Sequence, residues 1–237
     1  MNKIALLGFG KIGKIFFKTS KNYKNVIIKD IVKKKIIGFK NKKINFNKKI
    51  KPLITDKDIK GFIITTPVKT HWKFAKEVIK TQKPFIIEKP VVAKLEELKK
   101  IHSLTKNYKK SIFVNYKDLY NPAFEKFLKE IKSIGSYNKI KIIFGRYQEI
   151  KKFKISLKSN ILLPSFDWLP HPIALSIILG GVPKKVSILK NKISFTKKFI
   201  FQESIINFFY KKKNIQINFA NNYETPKRRI EIYGSKG

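Results

Sequence analysis

Two short stretches hold residues whose types and spacing could do chemistry. The first is GFGKIG, which sets Gly8, Gly10 and Gly13 in G-x-G-x-x-G spacing. It follows an apolar strand-like run and opens a helical one, the context of a dinucleotide-phosphate loop. Gly8 permits the tight turn, Gly10 carries no side chain to block a pyrophosphate, and Gly13 lets helix and strand approach closely. Phe9, Lys11 and Ile12 complete the loop and enter the helix, whose first N–H groups are free to meet a phosphate. The second stretch is DWLPHPIALSIILGG, residues 167 to 181. It puts Asp167 and His171, one of only three histidines, at the head of an apolar helix. An imidazole titrates near neutrality and can exchange protons. From the residues alone the plainer reading is a histidine packed at a helix start and an aspartate capping it. Pro170 and Pro172 mark that helix start, so capping and chemistry could coexist.

Two further segments carry polar residues at the ends of apolar runs. TTPVKTH (65–71) offers Thr65, Thr66, Pro67 and His71. FIIEKP (85–90) offers Glu88 and Lys89 before Pro90. In a doubly wound sheet the carboxyl ends of strands line the ligand crevice, so both segments would converge on a cofactor. Read alone, Lys89 is a surface lysine among many. His71 would support the cofactor loop, and His102, inside a helical stretch, is structural.

The elements that must position these residues follow from periodicity. KIALLG (3–8), NVIIKDIV (25–32), GFIITTP (61–67), PFIIEKP (84–90) and SIFVNY (111–116) are apolar runs of strand length. Between them, residues 11–20, 70–82 and 93–108 have helical spacing: Trp72, Ala75, Val78 and Ile79 on one face, and Leu95, Leu98, Ile101 and Leu104 on another. Strand–helix alternation implies βαβ units and a parallel sheet. The Lys/Asn-rich segment 40–51 reads as a solvated loop. After KDLYN (117–121) the pattern changes. A helix over 121–134 is followed by runs at 139–148, 185–190, 199–210, 214–223 and 228–234, interrupted only by a helix at 172–179. Ile215, Ile217 and Phe219 alternate with Gln216 and Asn218, the pattern of a sheet buried on one face. The fold class is α/β: a dinucleotide-binding domain with a parallel sheet over 1–118, and an α+β domain with an open, largely antiparallel sheet over 119–237.

Composition narrows the function classes. The chain has 237 residues, 54 Lys plus Arg against 15 Asp plus Glu, a net charge of +39 and no cysteine. Arginine occurs only at Arg146, Arg228 and Arg229. Surfaces that read bases or clamp phosphates favour the planar arginine fork. Lysine spread evenly among Ile, Asn and Phe instead indicates a bias toward A/T-rich codons, so no specific nucleic-acid partner is expected. Without cysteine there are no disulfides or thiolate metal sites, and no metal is expected. No run of about 18 apolar residues is present, so no membrane span is expected; a cytoplasmic protein is the default. An acidic residue near position 32 would hold a ribose 2′-hydroxyl. Asp30 comes too early, and Val32 is followed by Lys33, Lys34 and Lys35, which favours NADP over NAD.

Taken in order, GFGKIG, TPVKTH, KPFIIEKPV and FVNY resemble the Gfo/Idh/MocA oxidoreductases across essentially the whole chain. The resemblance implies a Rossmann domain binding NADP or NAD. It implies a hydride passed between nicotinamide C4 and a hydroxyl or carbonyl carbon of a sugar, polyol or sugar derivative. It raises Lys89 to a site residue that hydrogen-bonds the reacting oxygen. It makes Asp167 and His171 a D-x-x-x-H pair, in which His171 exchanges the proton and Asp167 orients the ring. Members often carry an acid three residues after the histidine; here Ala174 stands there, and ILLPSF (161–166) replaces a Gly-rich approach. These departures leave room for a non-catalytic NAD(P)-binding sensor or scaffold. The family further implies a small, potentially anionic substrate and homo-oligomerisation through the C-terminal sheet. Members usually continue beyond IEIYGSKG, so the C-terminal domain is expected to be incomplete.

Overall fold

The computed structural model describes residues 3–19, 26–29, 45–47, 49–148, 150–151, 164–197 and 199–236. The chain divides into two compact units, Met1–Asn115 and Tyr116–Gly237.

In the first unit, strands β1 (Lys3–Leu7), β2 (Val26–Lys29), β3 (Asn45–Asn47), β4 (Ile59–Ile64), β5 (Phe85–Ile87) and β6 (Ile112–Val114) pair in the order β3-β2-β1-β4-β5-β6. Every pairing is parallel. The chain runs outward from β1 in one direction and from β4 in the other. The order therefore reverses between these strands, and their carboxyl ends border a crevice there. Helices α1 (Lys11–Thr19), α2 (Lys51–Thr55), α3 (His71–Lys80) and α4 (Leu95–Thr105) connect the strands. Phe74, Ala75, Val78 and Ile79 of α3 pack on Ala5, Leu7, Phe62, Ile64 and Ile87. Leu6 and Ile63 point the other way, toward Phe16 and Phe17 of α1. Alternate residues of β1 and β4 thus serve opposite layers, as the period of two requires.

Two sequence expectations change here. Of the apolar positions assigned to one face of α4, only Ile101 is buried; Leu95, Leu98 and Leu104 are 67%, 44% and 50% exposed. A strict spacing of three drifts by about 60° per step on a helix of about 100° per residue. Leu98 and Leu104 sit to either side of Ile101, and Leu95 lies farthest round. The segment read as a solvated loop contains β3, paired with β2 from Ile27↔Asn45 to Lys29↔Asn47, and the start of α2. A ladder formed by backbone groups at a sheet edge needs no apolar signature. Asp30 and residues 32–35 lie outside the described residues.

In the second unit, α5 (Pro122–Glu130) begins with Asn121, whose side chain accepts from the Ala123 N–H at 2.9 Å, and with Pro122 in its first turn. Strands β7 (Lys139–Gly145), β8 (Ile150–Lys151), β9 (Lys185–Phe195), β10 (Phe199–Phe209), β11 (Asn214–Ala220) and β12 (Lys227–Ile232) form one open sheet. Its order is β12-β7-β11-β10-β8, with β9 also on β10. Only β7 and β11 pair in parallel; the other pairings are antiparallel. Ile140, Ile142, Ile206, Phe208, Ile215 and Ile217 form the buried face, covered by Phe124 of α5 and by Leu175 and Leu179 of α7 (Pro170–Gly180). A short helix, α6 (Pro164–Trp168), precedes α7 and was not expected from the sequence. Both helices start on a proline, which suits a first turn where the N–H has no partner. Among the described residues, no helix is long and apolar enough to cross a membrane.

Candidate functional site

In the first unit the glycine loop leaves β1 at its carboxyl end. Gly8 has φ +97°, and a Cβ there would lie 2.8 Å from the Thr66 nitrogen. A Cβ on Gly13 would lie 2.2 Å from the Gly8 carbonyl oxygen. Both glycines are required by close backbone approach. Around Gly10 the opposite holds: among the described residues a Cβ would meet nothing within 4 Å. The loop presents bare backbone to open space, with Lys11 and Ile12 exposed at the head of α1 and Phe9 buried beneath.

The ends of β4, β5 and β6 are tied to this loop and to one another. The Thr65 N–H donates to the Leu7 carbonyl at 2.8 Å, and its hydroxyl donates to the Gly8 carbonyl at 2.9 Å. The Glu88 N–H donates to Ile64 at 3.0 Å, and the Asn115 N–H to Ile87 at 2.9 Å. The Asn115 amide donates to the buried Glu88 carboxylate. His71, 2% exposed, sets Nε2 against the Thr66 carbonyl at 2.8 Å and Nδ1 against the Pro90 and Val91 carbonyls at 3.0 and 3.2 Å. Its ring therefore clips the Thr65–Thr66–Pro67 segment to the Glu88–Lys89–Pro90 segment. Pro67 is exposed, Lys89 is half-buried, and the Lys89–Pro90 peptide is cis. The Thr66 hydroxyl is buried with no hydrogen-bond partner among the described residues. An open backbone cradle and an orphaned hydroxyl at the end of the neighbouring strand fit a dinucleotide; Gly8–Gly13 and Thr65–Pro67 would hold it.

In the second unit, His171 lies in the first turn of α7, 7% exposed. Asp167 is exposed on α6. The carboxylate beside the imidazole is Asp118, in the turn Lys117–Tyr120: its Oδ2 lies 2.5 Å from His171 Nδ1. Its other oxygen accepts from Arg228 Nη1 at 2.8 Å. The imidazole stacks on Phe144 with ring centres 5.7 Å apart, and the Arg228 guanidinium lies over the same Phe144 at 5.1 Å. Trp168 meets Phe144 edge-on, and Arg146 lies over Trp168 at 4.9 Å. Gln202 anchors α6: its side-chain oxygen Oε1 accepts from the Ser165 N–H at 3.0 Å, and its backbone N–H donates to Asn221 Oδ1 at 2.6 Å. Ala174 is buried, where an acid would lack solvent.

Asp118 was not singled out from the sequence, because its partners lie far along the chain and nothing in KDLY marks an acid–base role. Burial alone would raise its pKa. The close approach and charge of His171, then Arg228 and Lys117, outweigh that and hold the carboxyl below the ordinary carboxylate range. A group whose pKa falls on folding contributes stability that is present above its unfolded pKa, about 3.9 for Asp. That contribution is lost as pH drops through the lowered folded value. Asp118→Asn is therefore expected to cost about 1.5–3 kcal/mol at pH 7. The gap in urea midpoint from wild type should narrow as pH falls below the unfolded value of about 3.9. A series of urea melts from pH 7 down through that value checks this; an unchanged gap would mean that ionisation of Asp118 is not what holds the cluster.

A six-stranded parallel sheet reversing at β1 and β4, with a glycine cradle at that point, defines a dinucleotide-binding Rossmann domain. Residues 2–116 match the family model described as the oxidoreductase family with NAD-binding Rossmann fold, Gfo/Idh/MocA. Over these residues the chain is similar to the Gfo/Idh/MocA oxidoreductases. No curated protein sequence matches it. Among solved structures, a candidate myo-inositol dehydrogenase from Sinorhizobium meliloti 1021 is 20% identical with a TM-score of 0.81, covering 100% of this chain and 74% of its own. Biliverdin reductase from Synechocystis sp. PCC 6803, in complex with biliverdin and NADP+, is 14% identical at 0.78, covering 99% and 77%. UDP-N-acetylglucosamine 3-dehydrogenase from Acidithiobacillus ferrooxidans is 14% identical at 0.76, covering 98% and 74%. At these identities the likeness is one of fold, and it extends through both units.

Proposed function

We propose that the chain is an NAD(P)-dependent dehydrogenase or reductase acting on a hydroxyl or carbonyl carbon of a sugar, polyol or sugar derivative. The observation that carries the reading is the glycine cradle, open at Gly10 and bordered by the unpartnered Thr66 hydroxyl. Residues 1–118 bind the dinucleotide through Gly8, Phe9, Gly10, Lys11, Ile12, Gly13, Thr65, Thr66, Pro67, His71, Glu88 and Lys89. Residues 119–237 bind the substrate and carry the oligomer contact. In support of that contact, the long strand β9 leaves Val186, Ile188, Leu189 and Phe195 exposed.

The nicotinamide, when bound, supplies or takes the hydride. The protein's own groups handle the proton and the oxygen. His171 takes the hydroxyl proton during oxidation and returns it during reduction. Lys89 donates a hydrogen bond to the reacting oxygen and steadies its negative charge. Asp167, exposed just before the helix of His171, meets the substrate's remaining hydroxyls. The inositol and UDP-N-acetylglucosamine dehydrogenase neighbours support a polyhydroxylated substrate, and the positive charge suits an anionic one. The absence of cysteine fits a reducing, cytoplasmic setting.

The test is a titration with NADPH and NADH followed by a panel of sugars, polyols and their phosphates. Binding is expected to be tighter for NADPH, because lysines occupy positions 33–35. At least one panel member should turn over with the bound cofactor. Tight cofactor binding without turnover of any member would favour the sensor or scaffold, and no binding of either dinucleotide would sink both readings.

A further inference from the structure

The acid–base reading of His171 leaves Asp118 and Arg228 without a role, yet Asp118 is engaged at both oxygens, Oδ1 in a hydrogen bond and Oδ2 in a short contact with His171 whose angles fall short of one. Oδ2 faces His171 Nδ1 on α7 at 2.5 Å, and Oδ1 accepts from Arg228 on β12 at 2.8 Å. Lys117 adds a positive charge from Asp118's own turn. Phe144 on β7 fixes the plane of the imidazole from one side, with 15° between the rings. An ionised carboxylate only accepts hydrogen bonds, so the nitrogen facing it must carry the hydrogen. Nε2 makes no hydrogen bond among the described residues and keeps the lone pair of the neutral ring. Arg228 stands out in a chain whose basic residues are nearly all lysine. A planar guanidinium can lie on Phe144 while its edge bonds Asp118, and an ammonium has no such face.

We propose that Asp118 and Arg228 are positioning residues that lock His171 as its Nδ1–H tautomer, making Nε2 the atom that exchanges the substrate proton. The last clause rests on the proposed dehydrogenase function; the tautomer does not. In the oxidising direction the substrate O–H bond breaks and its proton goes to Nε2. The C–H pair leaves as hydride to the nicotinamide, and the carbon–oxygen double bond forms. The ring becomes an imidazolium with hydrogen on both nitrogens, while Asp118 stays ionised and takes no proton. Arg228 holds Asp118 in the rotamer that reaches Nδ1.

Asparagine at 118 gives a sharp test, because it has one acceptor and one donor end. Arg228 can only donate, so the amide oxygen turns to Arg228 and the amide NH2 faces His171 Nδ1. That forces Nδ1 to accept and moves the hydrogen to Nε2. The experiment is a long-range proton–nitrogen spectrum of the full chain labelled with 15N-histidine, at pH 8. Only three histidines are present, and His102→Gln and His171→Gln assign them. The expected tautomers of His171 are Nδ1–H in wild type, Nδ1–H in Arg228→Met, Nε2–H in Asp118→Asn, and a return toward Nδ1–H in Asp118→Asn with Arg228→Met. A role in packing alone predicts neither the switch nor its reversal. If Asp118→Asn does not fold, Asp118→Ala is expected to lose the Nδ1–H preference. Nε2–H in wild type, or an unchanged tautomer in either Asp118 single variant, overturns the proposal. With a turned-over substrate, the wrong tautomer in Asp118→Asn should lower kcat by at least about 10²-fold, with little change in cofactor affinity. The tautomers are read without substrate. A locked ring in an inactive chain therefore sinks the dehydrogenase reading alone, and an unlocked ring in an active chain sinks the positioning role alone.

Discussion

His171→Ala is expected to lower turnover by at least about 10²-fold, the lower end of what a positioned proton carrier contributes. Cofactor affinity should stay near wild type. The two effects separate because His171 belongs to the second unit, whereas the glycine cradle, Thr65 and Thr66 belong to the first. Hydride transfer without a proton acceptor would leave charge on a protonated carbonyl oxygen or require water to collect the proton. The loss should therefore fall on kcat and on kcat/KM together, the mark of an interaction made in the transition state. The competing account is a histidine that only packs. His171 is buried and stacked on Phe144, so alanine also leaves a gap and strands the Asp118 carboxylate beside Arg228. That account predicts a lower melting temperature with nearly normal turnover below it. Measuring kcat well below the melting transition, with NADPH and a panel substrate, distinguishes the two. Turnover within a few-fold of wild type would remove His171 from the chemistry.

What could be read from the sequence was what is local. GFGKIG is six consecutive residues with its strand on one side and its helix on the other, so spacing alone specified a turn, a bare backbone and a close approach. The parallel sheet was legible because each strand is a short apolar run separated by a helix. The His171 cluster was legible only in part. Asp167 lies four residues before His171 in the chain, and proximity in sequence suggested it as the orienting acid. The carboxylate at Nδ1 comes instead from Asp118, brought in by the turn after β6, and its second partner Arg228 is 110 positions away from it. Packing of β12 against β7 makes that contact, and no periodicity reports it. The leucines of α4 show a different limit: a spacing of three drifts steadily round the helix, so only Ile101 of the four meets the core. Gln202 was invisible for the same reason as Asp118. It reads as one polar residue in a strand, and only the fold turns its amide toward the start of α6.

Gly10→Ala and Gly13→Ala are expected to fail in opposite ways, and the contrast tests the cradle directly. At Gly10 an added methyl meets no atom of the described residues within 4 Å, and its backbone is not among the positive-φ glycines. Alanine there should leave the fold intact and could stabilise it by about 0.4–1 kcal/mol through the unfolded chain. The same methyl would occupy the space where a pyrophosphate approaches the loop. A loss of about 1.4 kcal/mol or more in binding, tenfold or greater in Kd for NADPH, is expected. At Gly13 the methyl would sit 2.2 Å from the Gly8 carbonyl and 2.9 Å from the Thr65 hydroxyl. The first of these is backbone held by Thr65, so α1 must lift from β1. Overpacking of this kind costs about 1–3 kcal/mol, and affinity falls because the helix start no longer faces the loop. Thermal melts of the ligand-free variants, with fluorescence titrations of NADPH, read both quantities. Normal NADPH affinity in Gly10→Ala would mean that the open face of the loop is not where the phosphates lie. A melting temperature of Gly13→Ala equal to wild type would mean that helix and strand are not held as closely as the Gly8–Gly13 contact requires.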